Sequence, residues 1–456
     1  MSRFALVVIA ALGALAASPG FAQENPPPSP ASTARIITFE DAIRIALEQN
    51  TSVRAAQNAA ALGKVGVSEA KSQFLPDLRF STNGSKNYGR SFDQTEGTIV
   101  DQSTKSASLG VNSGVTLFDG FGNTATLKGA RLNDAASEQD LHRTRETVTF
   151  NVASNFLALI QGQEQLRVQR ENLEAAAALE RQIQQYVDLG ARTIADLYQQ
   201  QAQTASARFA VVEAGRAVEL ARVDLIGLLQ LDPTATYEFQ APKDATATAS
   251  ADQFELGGLQ SRAAQQRVDL RAEEARVGAA DQNIRVARSN RWPTLSLSAG
   301  YSSAYSSASP FSFSDQLDQR RGGSVSLGMS VPIYDRGAVS NATRRAEIQA
   351  DNARLQLENL QQDVALQVRR SFLDFQTAKE QLTNSEAQLR SAELALQASR
   401  DRYEAGASTL VELTQARANQ VQAASQLVFA RYNLQFQRIL LDYYVGDLDP
   451  KKLAGT

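Results

Sequence analysis

The chain has 456 residues, a formal net charge of -3 and no cysteine. Balanced charge without a basic block excludes the electrostatic footprint of a nucleic-acid binder, and absent thiols exclude disulfides, thiolate metal sites and lipidation at an N-terminal Cys. Aromatics are 7% of the residues, too few large side chains for several ordinary globular cores; an architecture of long helices needs fewer of them.

Arg3, the apolar run 4–17 and the small residues that follow make residues 1–22 a secretory signal, with cleavage expected after Ala22. The run is shorter than the roughly 20 residues of a spanning helix. Residues 23–37 are a Pro-rich, extended lead-in. Thr38 reads as an N-cap, and its helix should run to about Phe74, ahead of Pro76. Leu78, Phe80 and Thr82 begin a strand, and residues 86–104 read as a polar loop.

A second strand alternates Leu109, Val111, Val115 and Leu117 with small polar residues and ends at Asp119-Gly120. Period two means one apolar and one wet face. From about Asn123 to Asp188 runs a helical pattern with the seam Val148, Val152, Phe156, Leu159, Leu166 and Leu173. At about 1.5 Å per residue it approaches 100 Å, longer than a globular domain accommodates. Glu164, Arg167 and Glu171 stand at pairing distance along it. Gly190 suits a left-handed C-cap, a second helix runs from about Thr193 to Leu231 ahead of Asp232-Pro233, and residues 234–253 form a linker.

The same order then returns. Phe254 to Asn290 is helical up to Arg291-Trp-Pro293, and Leu295, Leu297, Ala299 and Tyr301 form a strand followed by a Ser-rich loop. Val325, Leu327, Met329, Val331 and Ile333 alternate in the next strand, with Pro332 marking its end. Tyr334-Asp335 leads into a long helix broken at Gly406, and a last helix reaches Tyr444. Pro76 and Pro293 are 217 apart, Phe118 and Tyr334 216, Gly190 and Gly406 216, and Pro233 and Pro450 217. A constant offset at so many breakpoints reads as a tandem duplication of a helix-strand-strand-helix-helix unit, 38–233 and 254–450, with 451–456 as a tail.

Beyond the leader no window is apolar for 18 residues, so a membrane can be crossed only by strands. Four strands per chain cannot close a barrel, and an open edge in lipid would strand its backbone groups. Two chains give eight strands and a filled interior; three give twelve and an aqueous lumen, which the Ser, Gly, Asn and Thr face suits. The expected fold is therefore membrane α+β: a trimeric 12-stranded β-barrel, four strands per chain, continued by a long α-helical barrel.

The duplicated layout, Val331-Pro-Ile-Tyr-Asp-Arg-Gly337, Leu117-Phe-Asp-Gly120 and the two helix-breaking tips, 186–196 and 403–412, together resemble the TolC family of outer-membrane efflux and secretion channels over essentially the whole mature chain. The resemblance implies a homotrimer in the outer membrane of a Gram-negative bacterium, embedded in its lipid and extending into the periplasm as a tunnel closed at its far end. It implies a periplasmic membrane-fusion adaptor docked on the tips, and an inner-membrane transporter of RND, ABC or MFS type that supplies energy. The docking tips would be Leu189, Gly190, Ala191, Arg192 and Thr193, with Ala405, Gly406, Ala407, Ser408 and Thr409. In the family the second tip carries acids at the aperture; Glu412 stands at the first such position, Gln415 replaces the second, and Asp196 is the first-half equivalent of Glu412. Pro76, Asp119, Pro293, Pro332 and Asp335 would mark the junction of barrel and tunnel.

Asp196 and Glu412 also fit a plainer role as acids in a helix first turn, where the dipole favours them. Neither a phosphate-binding loop, nor a paired-His zinc motif, nor a nucleophile with a nearby His occurs, so no enzyme activity, cofactor or metal is expected, and no nucleic-acid partner. The alternative from another class is a trimeric coiled-coil adhesion protein with a barrel anchor. Such a protein carries one C-terminal anchor, whereas strands occur here in both halves.

Overall fold

The computed structural model describes residues 35–93, 97–240 and 254–449. The expected signal peptide, most of the lead-in and linker, Pro450 and the tail lie outside them. In chain order the elements are β1 (Arg35–Ile37), α1 (Phe39–Gln49), α2 (Thr51–Ser72), β2 (Arg79–Asp93), β3 (Thr98–Phe118), α3 (Gly122–Asp188), α4 (Ile194–Leu229), β4 (Tyr237–Phe239), α5 (Leu256–Gln266), α6 (Val268–Ser289), β5 (Thr294–Ser306), α7 (Phe313–Gln319), β6 (Gly322–Ser330), α8 (Ala338–Glu404) and α9 (Leu410–Val445). α3 and α8 each have 67 residues, and α4 and α9 each have 36. No helix among the described residues is long and apolar enough to cross a membrane.

β2, β3, β5 and β6 form one antiparallel sheet in that order. Its register sorts side chains into the two expected faces. Phe80, Val111 and Tyr301 share one row, and Val115, Leu297 and Leu327 another; the intervening rows hold Ser81, Gly110 and Ser302, then Asn112, Gly300 and Ser324. The first two strands are longer than the sequence suggests. Residues 86–104, read as a loop, are mostly strand: β2 and β3 stay paired from Arg79↔Asn112 to Asp93↔Thr98. Ser, Thr, Asn and Lys there supply no continuous apolar face, so periodicity carries no strand signal, while the cross-strand ladder forms regardless. β6 ends at Ser330, before Pro332, whose ring lacks the ladder donor; Val331 and Ile333 thus lie beyond the strand. The Ser-rich loop contains α7, capped by Ser312 and held to β5 by Gln316, whose Oε1 accepts from Ser306 N at 2.9 Å.

Two expected single helices are each split. Asn50 ends α1 and caps α2, its Oδ1 accepting from Ser52 N at 2.9 Å while its Nδ2 donates to Leu228 O at 3.0 Å. Arg267 likewise stands between α5 and α6, though its side chain caps neither and instead pairs with Asp269 and Gln367. Both breaks fall at buried polar side chains with distant partners, which leave no mark on local periodicity. β1 pairs in parallel with β4 across 200 residues of sequence, another contact without a local signal.

The helices lie side by side. α3 packs on α2 and α6 in its first half and on α4 and α9 further along, and α8 packs on α6 and α9. The seam is as expected at Val148, Val152, Phe156, Leu159 and Leu166, all buried, while Leu173 is half-buried and Ala176, Leu179 and Ile183 continue it. The main core sits midway along α3, where Phe156 meets Phe39 and Phe239 edge-on at 5.4 and 6.2 Å. A second core surrounds Val364, Val368 and Phe375, and a small third one ties the two far hairpin tips together.

A charged cluster joins the long helices at mid-length. Arg267, 3% exposed, donates to both Asp269 oxygens and to Gln367 Oε1. Arg143 pairs with Glu146 at 2.9 Å, lies 3.7 Å from Asp269 and covers the Tyr443 ring at 4.0 Å. Burial raises the Glu146 carboxyl above its ordinary value. Burial would raise Asp269 as well, but the Arg267 guanidinium bonded to it holds its carboxyl below the ordinary value.

Candidate functional site: the hairpin tips and the strand-to-helix junctions

At the first tip α3 ends on Leu189 and the chain turns at Gly190, whose φ is +72°. Ala191 N donates to Tyr186 O at 2.8 Å and Gly190 N to Val187 O at 2.9 Å, closing the terminal carbonyls. Thr193 then caps α4: its hydroxyl accepts from Asp196 N at 3.2 Å, and the Asp196 carboxylate accepts from Thr193 Oγ1 at 3.0 Å. At the second tip Gly406, φ +71°, repeats the turn, with Ala407 N donating to Arg402 O at 2.8 Å. Thr409 caps α9 by accepting from Glu412 N at 3.2 Å. The Glu412 carboxylate is not drawn into that cap; it lies 3.6 Å from Arg402 Nη2, both side chains exposed.

Asp196 and Glu412 thus occupy the same position of equivalent turns, one engaged by its own cap and the other turned towards Arg402. They share no hydrogen bond or ion pair. Gln415 bonds Asn419 at 3.0 Å, one turn further along α9. Glu412, Gln415 and Asn419 line an open groove against Ser391, Ala395 and Ser399 of α8. Ser408, which stands where the first tip has Arg192, has a hydroxyl without a partner.

What sequence reasoning missed is how the tips meet. Arg192 reaches from the first to the second, its guanidinium 4.4 Å from the centre of the Tyr403 ring and its Nη2 donating to Tyr403 O at 3.4 Å. Tyr403 is 3% exposed and packs among Leu179, Ile183, Leu197, Leu410 and Leu413. Its hydroxyl has no partner, and burial raises its ionisation above the ordinary phenol value. The available signal was Arg192 itself, the one position of residues 189–193 and 405–409 where the halves differ in charge.

At the opposite end of the long helices, Asp119 Oδ2 accepts from Asn123 N at 2.6 Å and Asp335 Oδ2 from Val339 N at 2.7 Å, each capping a 67-residue helix. The chain bends there through two consecutive positive-φ residues, Gly120-Phe121 and Arg336-Gly337. Gly120 is required twice over: beside its φ of +68°, a Cβ would stand 2.5 Å from Ser289 O and 2.6 Å from Trp292 Cβ. Pro76 and Pro293 lie just before the opening strands β2 and β5, and Asp77 ties the first of these turns to β3 by accepting from Gly114 N at 2.7 Å.

The family model for outer membrane efflux proteins matches residues 42–229 and again 259–447. Outer membrane protein TolC of Salmonella enteritidis is 27% identical, covering 85% of this chain and 78% of its own length. Protein CyaE of Bordetella pertussis is 26% identical over 99% of this chain and 95% of its own. Among solved structures, the outer membrane protein VceC from Vibrio cholerae superposes with a TM-score of 0.77 at 18% identity, covering 90% of this chain and 96% of that one. The adhesion alternative finds no support in these matches. Strands, helices and tips together therefore carry one identity: the chain belongs to the outer membrane efflux protein family.

Proposed function

We propose that three copies close head to tail into a 12-stranded barrel continued by a helical tunnel, the outer-membrane exit duct of a tripartite efflux or type I secretion machine. One observation carries this reading: the open edges of sheet and helices lie on the same two sides. Among the described residues the sheet leaves the outer edges of β2 and β6 unpaired. The helices leave α2 and α4 open on the β2 side and α8 on the β6 side.

The open helix edges are apolar. Tyr198, Phe209 and Leu220 recur every 11 residues along α4, as do Val212 and Val223, and all five are exposed. Eleven residues are three turns, so these side chains form one straight stripe. Leu62 and Val65 are exposed on α2, and Ile348, Leu355, Leu366 and Leu373 on α8. A heterologous contact that closes by rotation buries every stripe and pairs both strand edges. Three copies, rather than two, supply the lumen that the Ser, Gly and Asn rows suit.

The equal lengths of α3 and α8, and of α4 and α9, support descent from a duplicated unit, 38–233 and 254–450. The signal sequence, with cleavage after Ala22, supports export. Within this duct, Pro76, Asp119, Pro293, Pro332 and Asp335 mark where barrel becomes tunnel. The tip residues 189–193 and 405–409 receive a periplasmic adaptor, which connects to an energised inner-membrane transporter. Glu412, Asp196 and Gln415 belong to the closed aperture, with Arg192 on Tyr403 holding the two tips of each copy together. Conduction itself is passive.

The test is the particle extracted from outer membranes in detergent, measured by light scattering and then in planar bilayers. A trimer that conducts ions is expected. A monomer, or a trimer without conductance, refutes the reading.

A further inference from the structure

On the apolar face of the sheet one row sets two like charges opposite each other, whereas the charged row further out opposes Arg90 to Asp101. Lys86 of β2 stands directly opposite Lys105 of β3. Both are on the face that carries Phe80, Val111 and Tyr301, because they lie whole two-residue steps from those positions in the same register. Like charges directly opposite one another repel. Among the described residues neither ammonium is in an ion pair; Lys86 Nζ rests 4.5 Å over the Tyr88 ring.

The pair cannot slip apart. Lys105 N donates to Ser307 Oγ at 2.9 Å, and Ser307 N to Lys105 O at 2.8 Å, which pins the backbone where β5 ends. Above this level β2 and β3 are the only described strands of the sheet that continue, while α7 packs against the end of β5, with Phe313 5.1 Å from the Tyr305 ring. One row below on this face, Tyr305 lies beside Ala107 and Gly84; the next row holds Ser303, Leu109 and Thr82, and Tyr301 follows beside Val111 and Phe80.

The position along the strand identifies what the pair meets. From the row of Leu295, Phe118 and Met329, beside the helix junctions, to the Lys105 row is twelve residues of strand. At about 3.4 Å each that is about 40 Å, or about 30 Å in height at a tilt of about 40°. This is the thickness of the hydrocarbon layer. In the barrel the two lysines therefore stand at the outer edge of the apolar band, between Tyr305 one row below and Tyr88 one row above, facing lipid rather than lumen.

We propose that Lys86 and Lys105 form a clamp for the phosphate of an outer-leaflet lipid headgroup, which bridges the two ammonium groups while its acyl chains lie along the Tyr305, Tyr301 and Val111 column. The anion removes the repulsion built into the pair, and the apolar rows below continue the same contact into the acyl layer. The inference rests on the barrel reading above.

The test uses the full-length particle extracted from outer membranes in zwitterionic detergent. It is titrated with lipid A, with dephosphorylated lipid A and with inorganic phosphate, and binding is read by native mass spectrometry and by the temperature at which the trimer dissociates. Lipid A is expected to bind and to raise that temperature; the other two are not. Lys86→Gln with Lys105→Gln should weaken lipid A binding about thirtyfold, at about one charge contact per lysine, and Lys86→Arg with Lys105→Arg should retain it. Equal binding by dephosphorylated lipid, or by the double Gln variant, overturns the clamp. A response to inorganic phosphate equal to that to lipid A overturns the lipid commitment. A wild-type particle that is no trimer refutes the barrel reading instead, through a different readout.

Discussion

Arg192→Ala separates a tip that is linked from one that is only packed. The substitution removes a guanidinium 4.4 Å above a buried ring and a 3.4 Å hydrogen bond, too long to add much. A cation–π contact of this kind contributes about 1 kcal/mol, which is about a fivefold shift between linked and parted tips. In a trimer whose three tips part together the shifts multiply, to about 3 kcal/mol and more than a hundredfold in the open population. Tyr403→Phe is the control: the hydroxyl has no partner, so its loss leaves the link intact and relieves an unsatisfied buried group. Single-channel recording in planar bilayers measures both. Arg192→Ala should open far more often than wild type and Tyr403→Phe should not; wild-type opening in Arg192→Ala, with the trimer intact, refutes the link.

Gly120→Ala should prevent trimer accumulation in the outer membrane, since its Cβ meets Ser289 O at 2.5 Å at a φ of +68°, whereas Gly190→Ala, with open space around it, should cost only about 1–2 kcal/mol; membrane fractionation and thermal melts distinguish them. Arg267→Ala leaves the half-buried Asp269 with one more distant cation, and should destabilise by about 3 kcal/mol, the low end for a broken buried pair, in circular-dichroism melts. The cluster also sets a pH dependence with two signs. Asp269, held below its ordinary value of 3.8, contributes stability above that pH and loses it as pH falls through its lowered pKa. Glu146, raised above 4.5, favours folding below that pH and loses the contribution as pH rises through its raised pKa. Asp269→Asn should therefore melt lower than wild type at pH 7 and approach it in strong acid, while Glu146→Gln should match wild type at pH 4 and melt higher at pH 7.

Wherever one face of an element is apolar, its period is written in the residues, as from Val325 to Met329 and along Val148, Val152, Phe156 and Leu159. Breakpoints were equally legible, because Pro and Gly act on the backbone locally: Gly190 and Gly406 turn where expected, and β6 stops before Pro332. Repetition of those breakpoints at a constant offset was enough to suggest a membrane protein of strands and long helices. The upper halves of β2 and β3 were not legible, since Ser, Thr, Asn and Lys pair through the backbone without a side-chain period.

Only the tertiary structure decided which element lies beside which. The breaks at Asn50 and Arg267 depend on Leu228, Asp269 and Gln367, two of them at least 100 residues away. β1 finds β4, and Arg192 finds Tyr403, across about 200 residues of chain. The apolar α4 stripe is visible in the sequence at its spacing of 11, but that it is an open edge rather than core follows from the placement of α3 and α9. Local sequence determines backbone conformation and which face is apolar, through sterics and periodicity; neighbours are chosen by the burial of those faces in three dimensions, which no local window contains.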